Sequence, residues 1–361
     1  MESLTRREFL GGLAVAGAGA LLPQAARPMR PGKINVHHHL TAPAYVKFLT
    51  ENKVRDFPNR SIAEGLEDLE KAGIAMAFTS IIGPGIWFGN VNETRRLARE
   101  CNEWAARLMT DYPGRFGMFA CLPLPDIDGS LREVEFAFDT LKADGVYLFT
   151  NFGQTPLYGD KYLGDPVLAP IYEELNRRRA VIYTHPKDNL CCRELVPGVA
   201  NPTVEYGTDT TRAIMSVLSS GTAARYPDLR FIFSHGGGTA PYLIGRIAGN
   251  QAPYLREGGI MAPGAPAARG TANTPSGPIA ELQKFFYDTS SVENPVALGA
   301  LRKLVPLSQI VFGTDFPFGS SAEARVNALE ASGVFNETEL QAIYRDNPMK
   351  LLPRAKSAHA A

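Results

Sequence analysis

Cysteine is scarce in this sequence. The 361 residues include only Cys101, Cys121, Cys191 and Cys192, and no two of them form a CxxC pair. This count supports neither a disulfide framework nor a zinc site built from thiolates. Cys101 and Cys121 fall in apolar segments, where we expect packing roles. We expect the adjacent Cys191 and Cys192 to lie in a loop and not to bridge easily to each other, with a pocket lining or a reactive thiol as the functional alternative.

Net charge is absent as well. The 37 basic residues balance the 37 acidic ones, so the composition gives no reason to expect nucleic acid or an acidic membrane as a partner. The apolar run from Phe9 to Leu22 covers about half of a membrane span, and no other segment is long or apolar enough, so we expect no stable membrane anchor. Apolar residues make up 45% of the chain and charged residues 20%, which is typical of a globular protein.

The first 27 residues have the pattern of a targeting segment. Arg6 and Arg7 precede Phe9 and a Gly/Ala-rich apolar run, and "PQAA" follows that run. A basic region, an apolar region and a small-residue cleavage zone occur in this order in export signals. Paired arginines before a weakly hydrophobic run are typical of a twin-arginine signal, a route that carries folded proteins. We therefore predict export to a bacterial periplasm and exclude residues 1–27 from the fold.

Eight short runs have the pattern of buried strands. Each is continuously apolar or β-branched rather than alternating, as in strands covered on both faces, and longer helical patterns lie between them. The runs span residues 33–37, 74–82, 115–124, 145–150, 180–185, 230–235, 285–290 and 309–315. The clearest helical patterns span residues 91–113, 130–143, 168–179 and 210–227. This alternation predicts an α/β fold, a (β/α)8 TIM barrel formed by one catalytic domain at 33–352, with a C-terminal tail at 353–361. Within it, the Gly-, Pro- and Ala-rich segment 248–277 is predicted to be a long loop on one rim.

Five of the six histidines stand at the ends of predicted strands. They are His37, His38, His39, His185 and His235. The carboxyl ends of barrel strands converge on one mouth, where active sites form. Because residues two apart on a strand face the same way, His37 and His39 point together. With His185 and Asp315 they supply three imidazoles and one carboxylate, a metal-ligand set suited to a single Zn²⁺, with Mn²⁺ as the alternative.

His235 and Asp315 are the predicted catalytic residues. His235 precedes three glycines, which let a substrate approach closely, and a histidine beside the metal can donate or accept a proton at neutral pH. Asp315 can bind the metal and also take a proton from metal-bound water. We expect His38, which points the other way on its strand, to pack or to support a ligand. The fourth predicted strand contains no lysine, which indicates one metal rather than two bridged by a carbamylated lysine.

The segments "NVHHH", "YTHP", "FSHGGG" and "GTDFP", in this order, resemble the amidohydrolase superfamily. The similarity runs from about residue 33 to 352. Within the superfamily the chain resembles the branch that contains aminocarboxymuconate semialdehyde, γ-resorcylate and 6-methylsalicylate decarboxylases. The resemblance implies the same metal ligands and the same catalytic histidine, and also a homodimer. One position departs from the family: the residue two before the first ligand is usually aspartate, and here it is the uncharged Asn35.

The predicted substrate is a small carboxylate. The candidate residues for binding it are Arg55, Arg60, Trp87, Arg246 and Phe316. Relatives hold a substrate carboxylate with basic residues after the first strand, where this chain has Lys53, Arg55 and Arg60. A guanidinium suits that geometry, and solvated surface charge is the alternative role. Trp87 follows the second strand at the same rim and can stack on a planar substrate.

Two reactions fit these residues. The favoured one is non-oxidative decarboxylation of a small aromatic or unsaturated, salicylate-like acid: the metal holds the carboxylate, and His235 or Asp315 protonates the carbon that bears it. The alternative is a metal-dependent hydrolase or hydratase acting on a lactone, amide or enoic acid through metal-bound hydroxide. Phe152, Trp87 and Phe316 favour the first, since a decarboxylase needs flat apolar walls. A binding protein without turnover is a third possibility, which the complete set of site residues disfavours.

Overall fold

Eight parallel strands, arranged in chain order, form the centre of the structure. The computed structural model describes residues 32–54, 57–152, 161–187, 189–192, 195–268 and 270–357. The strands are β1 (Lys33–His39), β2 (Ile74–Ser80), β3 (Phe116–Cys121), β4 (Gly145–Phe149), β5 (Val181–His185), β6 (Arg230–Phe233), β7 (Phe286–Asp288) and β8 (Ile310–Val311).

The sheet closes on itself between its first and last strands. Val36 N donates to Phe312 O (2.9 Å), and His39 N donates to Phe316 O (2.7 Å). These bonds join β1 to the segment that follows β8, so the two ends of the strand order are paired with each other. The predicted (β/α)8 TIM barrel is confirmed.

Helices follow the strands and pack on the outside of the barrel. They are α1 (Pro43–Glu51), α2 (Ile62–Lys71), α3 (Val91–Asp111), α4 (Ile127–Asp139), α5 (Ala169–Arg177), α6 (Gly207–Ser219), α7 (Thr222–Arg225), α8 (Ile244–Ala248), α9 (Pro278–Leu282), α10 (Pro295–Leu304), α11 (Ala322–Ala331), α12 (Glu337–Gln341), α13 (Asn347–Leu351) and α14 (Pro353–Ser357). The longest, α3, has the predicted apolar stripe: Leu97, Cys101 and Leu108 are buried. The Asn90 side chain caps it by accepting from Glu93 N (3.1 Å), which satisfies one of the free amides at its start.

The sixth and eighth strands are shorter than predicted. β6 ends at Phe233 and β8 at Val311, so His235 and Asp315 lie in the turns that follow. Both residues have left-handed backbone, with φ of 55° and 60°, which no strand can continue through. This conformation costs about 1–3 kcal/mol for a residue with a side chain and is concentrated at functional sites.

Aromatic side chains fill the barrel beneath its mouth. The ring of Tyr183 stacks on Phe119, with centroids 5.2 Å apart, and on Tyr147, at 6.1 Å. Tyr183 lies two residues before His185 on β5 and therefore shares its face of the strand. The metal-ligand layer thus rests on a packed aromatic layer, as expected for a barrel interior filled with side chains.

The adjacent cysteines contradict the expectation that they would not bridge. Cys191 and Cys192 form a disulfide in a short turn after β5. Asn189 holds that turn: its side chain accepts from Cys191 N (3.2 Å) and its carbonyl accepts from Cys192 N (3.1 Å). The sequence shows that the two residues are neighbours but not how tightly the chain turns between them.

Other predictions concern the ends of the chain and its long loop. The predicted signal at 1–27 lies outside the described residues. Among the residues that the structure describes, no helix is long and apolar enough to cross a membrane. The segment predicted as a rim loop contains the short turns Gly249–Tyr254 and Glu257–Gly259. After Leu352 the chain continues as α14, where Arg354 pairs with Asp144 (2.9 Å).

Candidate metal centre and active-site cavity

Four predicted metal ligands meet at the barrel mouth. Their ligand atoms all lie within 4.8 Å of one another, and all four residues are buried. Asp315 Oδ1 is 3.0 Å from His37 Nε2, 3.2 Å from His39 Nε2 and 3.6 Å from His185 Nε2. The Nε2 atoms of His37 and His39 are 3.1 Å apart. The structure therefore brings together the residues that the sequence pattern selected.

The outer nitrogen of each ligand imidazole faces an oxygen. His37 Nδ1 lies 2.9 Å from Asp288 Oδ2, His39 Nδ1 3.0 Å from Ile81 O, and His185 Nδ1 2.7 Å from its neighbour's carbonyl oxygen. Because these oxygens accept the Nδ1 protons, the Nε2 lone pairs point to the centre of the cluster.

This arrangement fits a divalent cation. Lone pairs of three imidazoles and one carboxylate converge on one point, and Asp315 Oδ1 is buried without a hydrogen-bond donor among the described residues. Lone pairs cannot satisfy one another, so a positive charge is needed between them. Three nitrogens and one carboxylate oxygen are a common ligand set for zinc and related ions.

The electrostatics of the cluster also favour a cation. Burial alone lowers the pKa of His37, but the carboxylates of Asp315 and Asp288 outweigh burial and raise it to about 9. Burial would raise the pKa of Asp315, yet the surrounding imidazoles, His37 foremost, hold it well below its ordinary value. A site that binds a proton this strongly at Nε2 offers the same negative potential to a metal ion.

Asp288, at the end of β7, is a site residue that sequence reasoning missed. Its carboxylate is fully buried and accepts from His37 Nδ1 (2.9 Å) and from the Tyr183 hydroxyl (2.7 Å). It also accepts from the backbone N–H of His235 (2.9 Å) and Ser290 (3.0 Å). Its position in the sequence indicates this role: in "FYDTS", as in "GTDFP", an aspartate follows an apolar strand run.

Asn35 has a role that suits an amide. Its Oδ1 accepts from His37 N (3.0 Å) and Thr314 N (3.1 Å), and its Nδ2 donates to Thr314 Oγ1 (2.7 Å). A carboxylate could not donate this last bond. Asn35 thus ties the first strand to the segment that carries Asp315.

His38 packs outside the cluster. Its ring stacks on Phe316, with centroids 4.6 Å apart and planes 10° apart. Burial, with the neighbouring imidazoles, lowers the pKa of His38 to about 3, so its ring is neutral. The side chain therefore contributes packing rather than charge.

His235 lies beside the cluster. Its Nδ1 is 3.2 Å from Ser290 O, and its Nε2 is 3.4 Å from His185 Nε2. Burial lowers its pKa to about 4, so the imidazole is neutral at neutral pH and can accept a proton before donating one. This position next to the ligands is the one the sequence pattern predicted for a proton-transfer residue.

A cavity of about 1170 Å³ opens above the cluster. His39, His185, His235 and Asp315 lie in its floor. Its walls include the aromatic residues Phe57, Trp87, Phe88, Tyr206 and Phe318, and the cations Lys187 and Arg325. Large apolar walls with a few converging polar groups are typical of small-molecule sites.

Of the two aromatic residues predicted to bind substrate, one lines the cavity and the other does not. Trp87 lines the cavity, as expected. Phe316 does not, because the turn at Asp315 directs its ring onto His38, and Phe318 takes the place at the cavity wall.

The predicted cations also differ from those that the structure places at the site. Arg60 is on the surface, where it pairs with Glu64 (2.9 Å), and Arg246 is exposed; neither is among the described residues of the cavity lining. Arg55 lies outside the described residues. Lys187 and Arg325 line the cavity instead. Lys187 could have been noticed, because it follows the ligand His185 by two residues.

The family match decides the classification: residues 34–354 match the family described as Amidohydrolase. The chain belongs to the amidohydrolase family. It is 33% identical over 332 residues to the 6-methylsalicylic acid decarboxylase of Penicillium expansum, covering 90% of this chain and 97% of that protein.

Two solved structures have the same amidohydrolase fold. A 2,6-dihydroxybenzoate decarboxylase complexed with 2,6-dihydroxybenzoate aligns with TM-score 0.75 at 21% identity, over 89% of this chain and 98% of that one. A dihydroxybenzoic acid decarboxylase from Polaromonas sp. JS666, with bound manganese and the inhibitor 2-nitroresorcinol, aligns with TM-score 0.72 at 20% identity, over 89% and 96%.

Proposed function

We propose that the protein is a metal-dependent, non-oxidative decarboxylase of a small, salicylate-like aromatic carboxylic acid. The observation that carries the proposal is the buried set of three imidazoles and one carboxylate at the floor of an aromatic-walled cavity. The Penicillium decarboxylase supports it, since its similarity extends over nearly the whole barrel.

The metal that we propose is one Zn²⁺, with Mn²⁺ as the alternative, held by His37, His39, His185 and Asp315. The donor set suits both ions, and the manganese in the Polaromonas structure supports the second. Bound there, the ion would act as a Lewis acid toward the carboxylate and a neighbouring oxygen of the substrate.

His235 is the residue that we propose moves the proton. Its Nδ1 faces the Ser290 carbonyl, so Nε2 is the atom free to take up a proton and give it to the ring carbon that bears the carboxylate. The carbon–carbon bond then breaks, its electron pair restores the aromatic ring, and CO₂ leaves. Asp315, held ionised by the imidazoles around it, suits ligation better than proton donation.

The cavity walls would orient the ring. Trp87 and Phe318 offer flat apolar faces, which stack on an aromatic substrate and keep water from the reacting carbon. Lys187 and Arg325 place an ammonium and a guanidinium in the wall, groups that donate to the oxygens of an acid substrate. Arg325 also pairs with Glu293 (3.0 Å).

The setting of the enzyme is also a proposal. The paired arginines and apolar run in residues 1–27 support export by the twin-arginine route to the periplasm. A homodimer is part of the same proposal, as the resemblance to this decarboxylase branch implies.

The proposal is tested by release of CO₂. The purified protein, stripped of metal and reloaded with Zn²⁺ or Mn²⁺, is incubated with hydroxybenzoates, methylsalicylates, lactones and amides, and product masses are read. We expect metal-dependent products that have lost one CO₂. Cleavage or addition with water, and no loss of CO₂, would reject the proposal in favour of a hydrolase or hydratase.

A further inference from the structure

A second, smaller pocket adjoins the main cavity. It has a volume of about 50 Å³ and shares Pro84, Trp87 and Lys187 with the lining of the main cavity. Its other walls come from the ends of β2, β3 and β4 and the loops that follow, and most of them are apolar. A molecule in the main cavity can therefore place a small group behind Trp87 and Lys187.

One polar atom of this pocket is unsatisfied. The hydroxyl of Tyr147, on β4, is buried and has no hydrogen-bond partner among the described residues. The equivalent hydroxyl on the next strand, that of Tyr183, donates to Asp288 (2.7 Å). Buried polar groups are nearly always paired, and an exception indicates a missing partner such as a ligand or water.

The pocket lies next to the metal-ligand layer. The ring centroid of Tyr147 is 6.3 Å from that of His39 and 6.4 Å from that of His185. One side chain thus separates the pocket from the ligands. A substituent on a ring bound at the cluster would enter the pocket past Trp87 and Lys187, which line both cavities.

Close packing fixes the size of the pocket. The ring of Phe149 lies against Gly85, where a Cβ would be only 2.8 Å from it, and the Lys187 ammonium lies 5.4 Å from the centroid of the same ring. Gly85 also has a φ of 92°, which favours glycine. About 50 Å³ compares with roughly 30 Å³ for one water in the liquid, so the pocket holds only a small group.

We propose that this pocket is a subsite for a small uncharged substituent of the substrate ring. The substituent carries a hydrogen-bond acceptor, to which the Tyr147 hydroxyl donates. A hydroxyl, carbonyl or methoxy group has this chemistry. A carboxylate does not suit it, because apolar walls penalise a charge. The inference rests on the proposed function, since it assigns part of the ring that this function would decarboxylate.

The test compares groups of equal size. Salicylates with one added hydroxyl and salicylates with one added methyl, at each free ring position, are assayed for kcat/KM. At one position we expect the wild type to prefer hydroxyl over methyl by about tenfold, the upper range for one hydrogen bond. In Tyr147→Phe the ratio should fall to about one or invert. The ratio within one variant cancels any general loss of activity.

Two further variants complete the test. Tyr172→Phe removes another buried hydroxyl, one that donates to Leu163 O outside both pockets, and should leave the ratio as in the wild type. Leu124→Trp fills the pocket from its edge and should reduce kcat/KM for the preferred hydroxylated acid far more than for salicylate itself. An unchanged ratio in Tyr147→Phe would overturn the subsite.

Calorimetric binding of the same acids separates this inference from the proposed function. If no acid loses CO₂, the proposed reaction fails. Tighter binding of the hydroxylated acid than of the methylated acid, and loss of that difference in Tyr147→Phe, would then support the subsite independently of turnover. A ratio of about one in the wild type, at every ring position, would reject it.

Discussion

Replacing Asp288 by asparagine should weaken metal binding although Asp288 is not a ligand. Its two carboxylate oxygens accept four bonds, from His37 Nδ1, the Tyr183 hydroxyl and the backbone N–H of His235 and Ser290. An amide of the same shape accepts at one end only, because the other end is a donor. Two of the four donors therefore face an NH₂ group in Asp288→Asn.

The preferred orientation of that amide decides what happens to the metal. The backbone N–H groups of His235 and Ser290 cannot change, so the amide oxygen should face them and the NH₂ group should face His37. His37 can then pair only by moving its proton from Nδ1 to Nε2, the atom that points to the metal. Loss of such an orienting partner lowers metal affinity by about 10–100-fold. Exchanging two bonds to a carboxylate, about 1.5–3 kcal/mol each, for two bonds to a neutral amide, about 0.5–1.5 kcal/mol each, also costs about 2–3 kcal/mol of stability.

The assay is competition for Zn²⁺ and Mn²⁺ with a chromogenic chelator, together with the midpoint of thermal unfolding. Asp144→Asn is the matched control. Asp144 is a buried carboxylate just before β4, at the end of the barrel away from the metal ligands, and it accepts from Met118 N (2.9 Å) and Arg354 Nε (2.9 Å). The control should lose stability and keep wild-type metal affinity. If Asp288→Asn behaves like the control, with metal affinity unchanged, the orienting role is refuted.

Three further predictions address the site and the chain around it. His235→Asn should keep its metal content and lose turnover, and metal analysis that shows loss of both would make it a ligand. Phe318→Ala should raise KM because it removes a cavity wall, whereas Phe316→Ala should leave KM near wild type and lower the unfolding midpoint because it removes a stacked ring from the packed layer. Alkylation of the denatured, unreduced protein should add two groups, since Cys191 and Cys192 are paired and the other two cysteines are free; addition of four would contradict the disulfide.

The sequence predicted the residues of the metal centre because strand geometry determines their positions. The two-residue spacing of His37 and His39 and the position of His185 at the end of β5 follow from the geometry of a barrel strand. Asp315 reaches the same mouth from the turn after β8. Asp288 was missed because it interacts only through other residues of the site, and a sequence does not show which side chains meet across a barrel.

The substrate-facing residues depend on turns, which the sequence specifies less well. The positive φ of Asp315 sends Phe316 outward and lets Phe318 return to the cavity, and only a structure shows the sign of that angle. For Arg60 a signal was present: "SIAE" directly after it is a capping box, with Ser61 and Glu64 bonded reciprocally, and such a motif begins a surface helix.

The most direct test of the central claim is the source of the atoms gained by the product. The metal-loaded protein is incubated with its best hydroxybenzoate in deuterated water, and in parallel in water labelled with heavy oxygen. Decarboxylation should place one deuterium at the carbon that lost the carboxylate and no heavy oxygen in the aromatic product. Heavy oxygen in that product would show that water attacked the substrate and would contradict decarboxylation.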